Sequence, residues 1–176
     1  MYRAYRTMAA SALATLALFA AISVSGAPAQ AAAKLVAFDG RYAPGTIVIK
    51  TQERRLYLVL GGGRAERYPV GVGKPGKRWT GVKQIVRKMR NPDWAAPPEV
   101  KRDIPDIPDL IRGGTPANPL GVAALVMTGG DTAIHGTNRP KSVGGFVSYG
   151  CIRMYNSDIL RLFAQVRVGT PVVVLP

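Results

Sequence analysis

Short runs of β-branched, aliphatic and aromatic residues follow one another through most of the chain after residue 44. The runs at 46–50 and 55–60 are separated by four polar residues and predict a β-hairpin. The run at 67–72 predicts a third strand, with Pro69 at a sheet edge because proline has no N–H to donate. Residues 82–90 also show helical spacing, but a strand is favoured because the neighbouring runs are short strands. Further strands are predicted at 124–127, 132–135 and 172–175.

One helix is predicted near the C-terminus. Asn156, Ser157 and Asp158 are typical of a helix N-cap, and the apolar residues at 159, 160, 162, 163 and 166 then share one helical face. The whole pattern therefore predicts a mainly β, β-sandwich-like domain over residues 44–176, closed or nearly closed, with one clear C-terminal helix.

Two segments show no regular pattern. Residues 32–43 are interpreted as a linker or N-terminal arm. Residues 91–121 are dense in proline and glycine. Because so long a structureless stretch inside a small domain is usually functional, this segment is predicted to be a loop or lid beside a site.

The N-terminus has the three parts of a secretory signal peptide. Arg3 and Arg6 precede an uncharged apolar run over 8–24, and small residues near Ala29 and Ala31 suit a cleavage site. The alternative is a membrane anchor, because spanning a bilayer takes about 20 residues. We expect residues 1–31 to be removed and the protein to lie in the periplasm or cell envelope.

Charge is the next feature that narrows the function. The chain has 24 Lys and Arg against 10 Asp and Glu, and 22 basic residues remain beyond the predicted leader, for a net charge of +12. Such a surface attracts polyanions. An exported protein rarely meets nucleic acid, so anionic envelope polymers or membrane surfaces are the expected electrostatic partners, with an ordinary solvated surface as the alternative.

The chain contains one cysteine, Cys151, and one histidine, His135. A thiol that cannot pair within an exported chain is a liability unless it is used. One His and one Cys are too few ligands for a zinc site, so no metal is expected. Either residue alone could be structural, but both lie in a glycine-rich segment that ends one strand and begins another.

A Cys–His pair supplies a nucleophile and its base. A nearby imidazolium lowers a thiol pKa from about 8.5, so a thiolate is predicted near neutral pH. His135 would serve as base on attack and as acid toward the leaving amine, oriented by a backbone carbonyl. The N–H groups of Gly150 and Cys151 are expected to stabilise the oxyanion. Arg153 should share a strand face with Cys151 and bind a substrate carboxylate.

The segment from His135-Gly136-Thr137 to Ser148-x-Gly150-Cys151-Ile152-Arg153-Met154, followed by Asn156 and Asp158, resembles the signature of the L,D-transpeptidase family, whose catalytic domain is called YkuD. The resemblance extends from about residue 44 to 176. It implies a β-sandwich-like fold whose cysteine attacks a peptidoglycan stem peptide, releases D-alanine and passes the acyl group to an amine in a 3→3 cross-link. No cofactor is implied, and a monomer is expected.

The resemblance also implies roles for individual residues. The carbonyl of Gly136 would orient His135, and the N–H groups of Tyr149, Gly150 and Cys151 would bind the oxyanion. Arg153, Asn138 and Ser148 are predicted to contact the substrate. Many family members have a second histidine where this chain has Tyr149, so the role of base falls on His135 alone.

Several alternatives remain open. Water as acceptor would make an L,D-carboxypeptidase, and a protein lysine would make a lipoprotein-anchoring enzyme. A non-catalytic cell-wall-binding domain would be expected to have lost part of the Cys–His–Arg set, which is intact here. In a sortase the arginine lies on a separate strand, unlike Arg153.

Overall fold

The computed structural model describes residues 33–176, and most of the elements in that range are β-strands. The predicted leader over residues 1–31 lies outside the described residues. The strands are β1 (Lys34–Ala37), β2 (Ile47–Lys50), β3 (Arg55–Gly61), β4 (Arg64–Pro69), β5 (Val72–Gly73), β6 (Gly81–Arg90), β7 (Trp94–Ala95), β8 (Leu110–Ile111), β9 (Ala123–Met127), β10 (Ala133–His135), β11 (Phe146–Ser148), β12 (Ile152–Arg153) and β13 (Pro171–Leu175). The helices are α1 (Pro98–Asp103), α2 (Asn156–Gln165) and a 3₁₀ turn (Pro140–Ser142).

One nine-stranded sheet, in the order β1-β4-β3-β2-β13-β6-β9-β10-β12, contains most of the strands of the described residues. The β2–β13 and β10–β12 pairs are parallel and the other pairs are antiparallel. Gly71, which follows β4, exchanges two backbone hydrogen bonds of 2.8 Å with Arg153 of β12. The last strand in the sheet order, β12, is therefore hydrogen-bonded to the segment that follows β4, near the other edge of the sheet. The predicted mainly β, sandwich-like architecture with one main helix is confirmed.

The principal core lies between the sheet and α2. Ile159 and Leu162 of α2 are fully buried against strand residues such as Leu125 and Ile134. Burying such side chains stabilises a fold by roughly 1.5–3 kcal/mol each. Because α2 packs on β9 and β10, it braces the strand that ends at His135.

The segment 32–43, interpreted from the sequence as a linker or arm, contains a strand. β1 pairs with β4 in antiparallel register, with Lys34 opposite Arg67. Beyond β1, the Phe38 ring packs 4.7 Å from the ring of Tyr57, centroid to centroid. This segment packs on the outer face of the sheet. Its run of apolar residues is too short to predict a strand from the sequence.

The N-cap assignment at residues 156–158 is wrong. Tyr155 is the N-cap, with extended backbone and no capping side chain, and Asn156 is already the first residue of α2. The Asn156 side chain instead accepts a hydrogen bond from the Thr137 N–H at 2.9 Å. A tertiary contact has taken the side-chain oxygen that would otherwise cap the helix.

The segment 91–121 is not structureless. β7 pairs with β8, α1 lies between them, and Asn118, 1% exposed, donates hydrogen bonds to the carbonyls of Pro92, Ile111 and Arg112. These elements are too short to give a readable period. Among the described residues, none of the helices is both long enough and apolar enough to cross a membrane.

Candidate active site

Cys151, His135 and Arg153 meet because of the register between two short strands. β10 and β12 run parallel, with Ile134 opposite Ile152 and His135 opposite Arg153. Alternate residues of a strand face the same side, so positions 151 and 153 share a face with His135. All three side chains line one cavity of about 470 Å³.

The opposite wall of this cavity comes from the segment 91–121. Its lining residues are largely apolar: Trp94, Pro97, Val100, Ile104, Ile107, Ile111, Ala117, Pro119 and Leu120. The side of the cavity formed by His135, Cys151 and Arg153 is polar. A bound molecule would therefore meet apolar groups on one side and hydrogen-bonding groups on the other. The segment that the sequence predicts to be a functional loop or lid thus lines the cavity.

His135 is held in one orientation and one tautomer. Its Nδ1 lies 2.6 Å from the carbonyl oxygen of Gly136, and its side chain is buried. Because a carbonyl only accepts, Nδ1 carries the proton and Nε2 keeps its lone pair. Nε2 is therefore the atom of His135 that can take a proton from a thiol.

The protonation states differ from the thiolate predicted from the sequence. Burial, reinforced by the positive charge of Arg153, lowers the pKa of His135 to about 4. Burial also raises the pKa of the Cys151 thiol, opposed in part by the Ala133 backbone and by Arg153. Burial therefore favours the uncharged forms of both side chains, a neutral thiol beside a neutral imidazole, over an ion pair.

The turn before Cys151 is held from both sides. Gly150 has φ +125°, a conformation that favours glycine. The Ser148 hydroxyl donates to the Cys151 carbonyl at 2.5 Å and accepts the Gly150 N–H at 3.1 Å, while the Trp79 indole donates to the Gly150 carbonyl at 2.9 Å. The Gly150 N–H, expected to bind the oxyanion, is thus already engaged, which leaves the N–H groups of Tyr149 and Cys151 in that predicted role.

The predicted substrate contacts differ in how free they are. Ser148 lines the cavity, but its hydroxyl shapes the turn, and Asn138 donates through Nδ2 to the Ala117 carbonyl at 2.9 Å. Arg153 donates to Ser142 Oγ at 3.0 Å, and its Nε is buried without a hydrogen-bond partner in the described part of the chain. Since no carboxylate among the described residues pairs with Arg153, its guanidinium is available to an anionic ligand.

Tyr149 connects α1, the helix of the segment 91–121, to the rest of the domain. Its hydroxyl donates to Asp103 Oδ2 at 2.5 Å, and Lys74 Nζ lies 3.7 Å from its ring centroid. Lys74 also pairs with Asp103 at 3.1 Å, and Lys77 pairs with Glu99. The residue at the place of the second family histidine therefore connects α1 to the turn that precedes Cys151.

Replacing Tyr149 with phenylalanine should loosen α1 more than it slows chemistry. The change removes one hydrogen bond to Asp103 but leaves the Tyr149 backbone N–H in place. Hydrogen exchange of residues 97–104 should rise, because the side chain at position 149 no longer holds Asp103. The rate of Cys151 acylation should change by less than about three-fold, because the lost hydrogen bond is exposed to solvent and contributes little. Tyr42→Phe, on the outer face of the sheet, is the control. A ten-fold loss of rate with unchanged exchange would contradict this role.

Two residues that support the site were missed in the sequence. Trp79 sits in a loop rich in glycine, proline and lysine, and a lone large aromatic residue there was a usable signal. Asn156 was interpreted as a helix cap and as part of the family signature, but its contact with the Thr137 N–H was not predicted. The described residues contain no group of three or more His, Cys, Asp or Glu that could hold a metal ion.

Comparison with known proteins identifies the family. Residues 44–174 match the family described as "YkuD: L,D-transpeptidase catalytic domain". Over 138 residues the chain is 36% identical to the "Probable L,D-transpeptidase ErfK/SrfK" of Escherichia coli (strain K12), covering 73% of this chain and 43% of that protein. The chain thus spans less than half the length of that relative.

Solved structures show the same fold. L,D-transpeptidase 3 from Mycobacterium tuberculosis, in complex with a faropenem-derived adduct, superposes with a TM-score of 0.60 at 19% identity, over 74% of this chain and 60% of that one. The catalytic domain of the Enterococcus faecium L,D-transpeptidase, acylated by ertapenem, gives a TM-score of 0.55 at 20% identity, over 74% of this chain and 95% of that one. The chain belongs to the YkuD family of L,D-transpeptidase catalytic domains.

Proposed function

We propose that this chain is a peptidoglycan L,D-transpeptidase that uses Cys151 as its nucleophile. The observation that carries the proposal is the placement of Cys151, His135 and Arg153 on one strand face, lining one cavity, with His135 Nδ1 held by the Gly136 carbonyl. The same set argues against a merely wall-binding domain, which would not need to keep it.

Acylation follows from these positions. Cys151 Sγ attacks the carbonyl of the L-centre of the third stem residue as His135 Nε2 takes the thiol proton. The N–H groups of Tyr149 and Cys151 stabilise the negative oxygen. When the carbon–nitrogen bond breaks, His135 returns the proton to the amine of the departing D-alanine. The products are a thioester on Cys151 and free D-alanine.

Transfer reverses the same proton movements. The side-chain amine of a second stem attacks the thioester, His135 takes a proton from that amine, and the Cys151 thiol is restored. An amide bond replaces the thioester, which gives a 3→3 cross-link. Water in place of the amine would give L,D-carboxypeptidase activity, and a protein lysine would give lipoprotein anchoring.

The charge distribution supports an anionic substrate. Arg153 faces the cavity without a carboxylate partner among the described residues, and Arg139 also lines the cavity. Stem peptides carry carboxylates that a guanidinium binds in a bidentate manner. The high net positive charge would attract the anionic cell envelope, where we propose that the exported protein acts, as a monomer in the periplasm.

The test uses two substrates that differ by one residue. The mature protein is incubated with disaccharide-tetrapeptide, and products are followed by mass spectrometry. Free D-alanine and a cross-linked dimer are expected, whereas disaccharide-tripeptide alone should give no thioester because it lacks the leaving group. Monomeric tripeptide without dimer would favour the carboxypeptidase. No release of D-alanine from the tetrapeptide would overturn the proposed function.

A further inference from the structure

Asn156 lies directly behind the residues that orient His135. It is the first residue of α2, and its Oδ1 accepts the Thr137 N–H at 2.9 Å. Two glycines make room for this side chain: a Cβ added to Gly121 or Gly136 would overlap the Asn156 Oδ1. The amide is therefore fitted against the backbone that follows His135.

The Thr137 N–H and the Gly136 carbonyl belong to the same peptide group. A peptide group is planar, and in the trans form its N–H and C=O point in opposite directions. Holding the N–H on Asn156 Oδ1 therefore fixes the direction of the Gly136 carbonyl. That carbonyl oxygen lies 2.6 Å from His135 Nδ1.

We propose that Asn156 is a positioning residue for His135, acting through the 136–137 peptide group to hold the Gly136 carbonyl on Nδ1. A carbonyl that rotated away would let the imidazole exchange tautomers or turn its Nε2 away from Cys151. The importance of this arrangement for catalysis rests on the proposed function, because only there is His135 the base.

The charged group that acts directly on His135 is Arg153. Arg153 lies opposite it on β12 with Cys151 just before that strand, and Arg139 acts in turn on Arg153. On α2, two positions beyond Asn156, burial raises the pKa of Asp158 to about 6. The titration of His135 is therefore repeated in an Asp158→Asn background, which removes the ionisation of Asp158 from the same pH range.

The single histidine allows a direct measurement. In untagged protein labelled with ¹⁵N-histidine, NMR reports the tautomer and pKa of His135 alone, since no other histidine is present. Asn156→Ala should shift the neutral ring from the Nδ1–H form toward a mixture of tautomers. Asn156→Asp keeps the acceptor and adds a negative charge, so the Nδ1–H form should persist and the pKa of His135 should rise by about one unit or more.

The single cysteine gives a second readout. The rate of Cys151 alkylation by iodoacetamide at pH 7 should fall about ten-fold in Asn156→Ala and less in Asn156→Asp. Thr170→Val is the matched control, because Thr170 Oγ1 also accepts a backbone N–H, from Arg167 at 3.1 Å, but just beyond the other end of α2. It should lower the melting temperature without changing the His135 tautomer.

The outcomes separate this inference from the proposed function. If folded Asn156→Ala keeps the wild-type tautomer and alkylation rate, the positioning role is overturned. If the tautomer and pKa move as expected but the wild-type protein releases no D-alanine from tetrapeptide, the positioning role stands and the proposed function fails.

Discussion

Replacing Cys151 with alanine is expected to lower D-alanine release from tetrapeptide by roughly 10³-fold or more, to the background of buffer. Cys151 is the only thiol in the chain, and the serine hydroxyls that line the cavity, those of Ser142 and Ser148, each donate to a backbone carbonyl. The side chain is half-buried and small, so alanine should leave the fold intact. The loss should therefore appear with a melting temperature close to that of the wild-type protein.

Cys151→Ser is the sharper companion variant. A serine hydroxyl has nearly the shape of the thiol but is a far weaker acid, and the lowered pKa of His135, about 4, makes it a weak base. Such a base suits a thiol and not a hydroxyl. We therefore expect Cys151→Ser to be nearly as inactive as Cys151→Ala.

Intact-mass spectrometry after incubation with a carbapenem measures whether residue 151 is acylated in the wild-type protein and in each variant. The wild-type protein should gain one adduct, and neither variant should. The solved structures with a faropenem-derived adduct or with ertapenem acylation show that proteins of this fold form such species. Continued D-alanine release by Cys151→Ala, or an adduct on it, would contradict the nucleophile assignment.

The strands of the main sheet could be predicted because they contain consecutive β-branched residues, which are buried continuously in β2 and at alternate positions in β13. β1 could not, since its side chains are mostly exposed and its stability comes from pairing with β4 and from Phe38 packing on Tyr57. The same limit applies to α1, whose six residues carry one buried side chain, Val100. Contacts distant in sequence decide these elements.

For the site, the strand period of two was enough to place Cys151 and Arg153 on one face. The protonation states were not predictable, because they depend on how deeply the β10–β12 pairing buries His135 and on how near it brings Arg153. The engagement of the Gly150 N–H by Ser148 likewise depends on a turn geometry that residue types alone do not specify. The motifs therefore predicted the candidate reacting groups, whereas their charges and hydrogen bonds depend on the fold.

Replacing His135 with glutamine should slow acylation of Cys151 by roughly 10²–10⁴-fold at pH 7, the usual contribution of a positioned general base. In the wild-type protein, His135 is neutral above its lowered pKa of about 4. The rate should therefore stay near its maximum as pH falls through 6.5, the ordinary range of histidine, and drop only near pH 4.

The same reasoning predicts where the variant recovers. Because burial raises the pKa of the Cys151 thiol, the thiolate forms without help only at clearly alkaline pH. Once it does, His135→Gln no longer needs a base for attack, and its rate should approach that of the wild type. Single-turnover acylation by a carbapenem, followed from pH 3.5 to 10 in both proteins, measures this. An acid limb at pH 6.5 or above would contradict this prediction, because it would mean that the pKa of His135 lies in its ordinary range despite burial and the charge of Arg153.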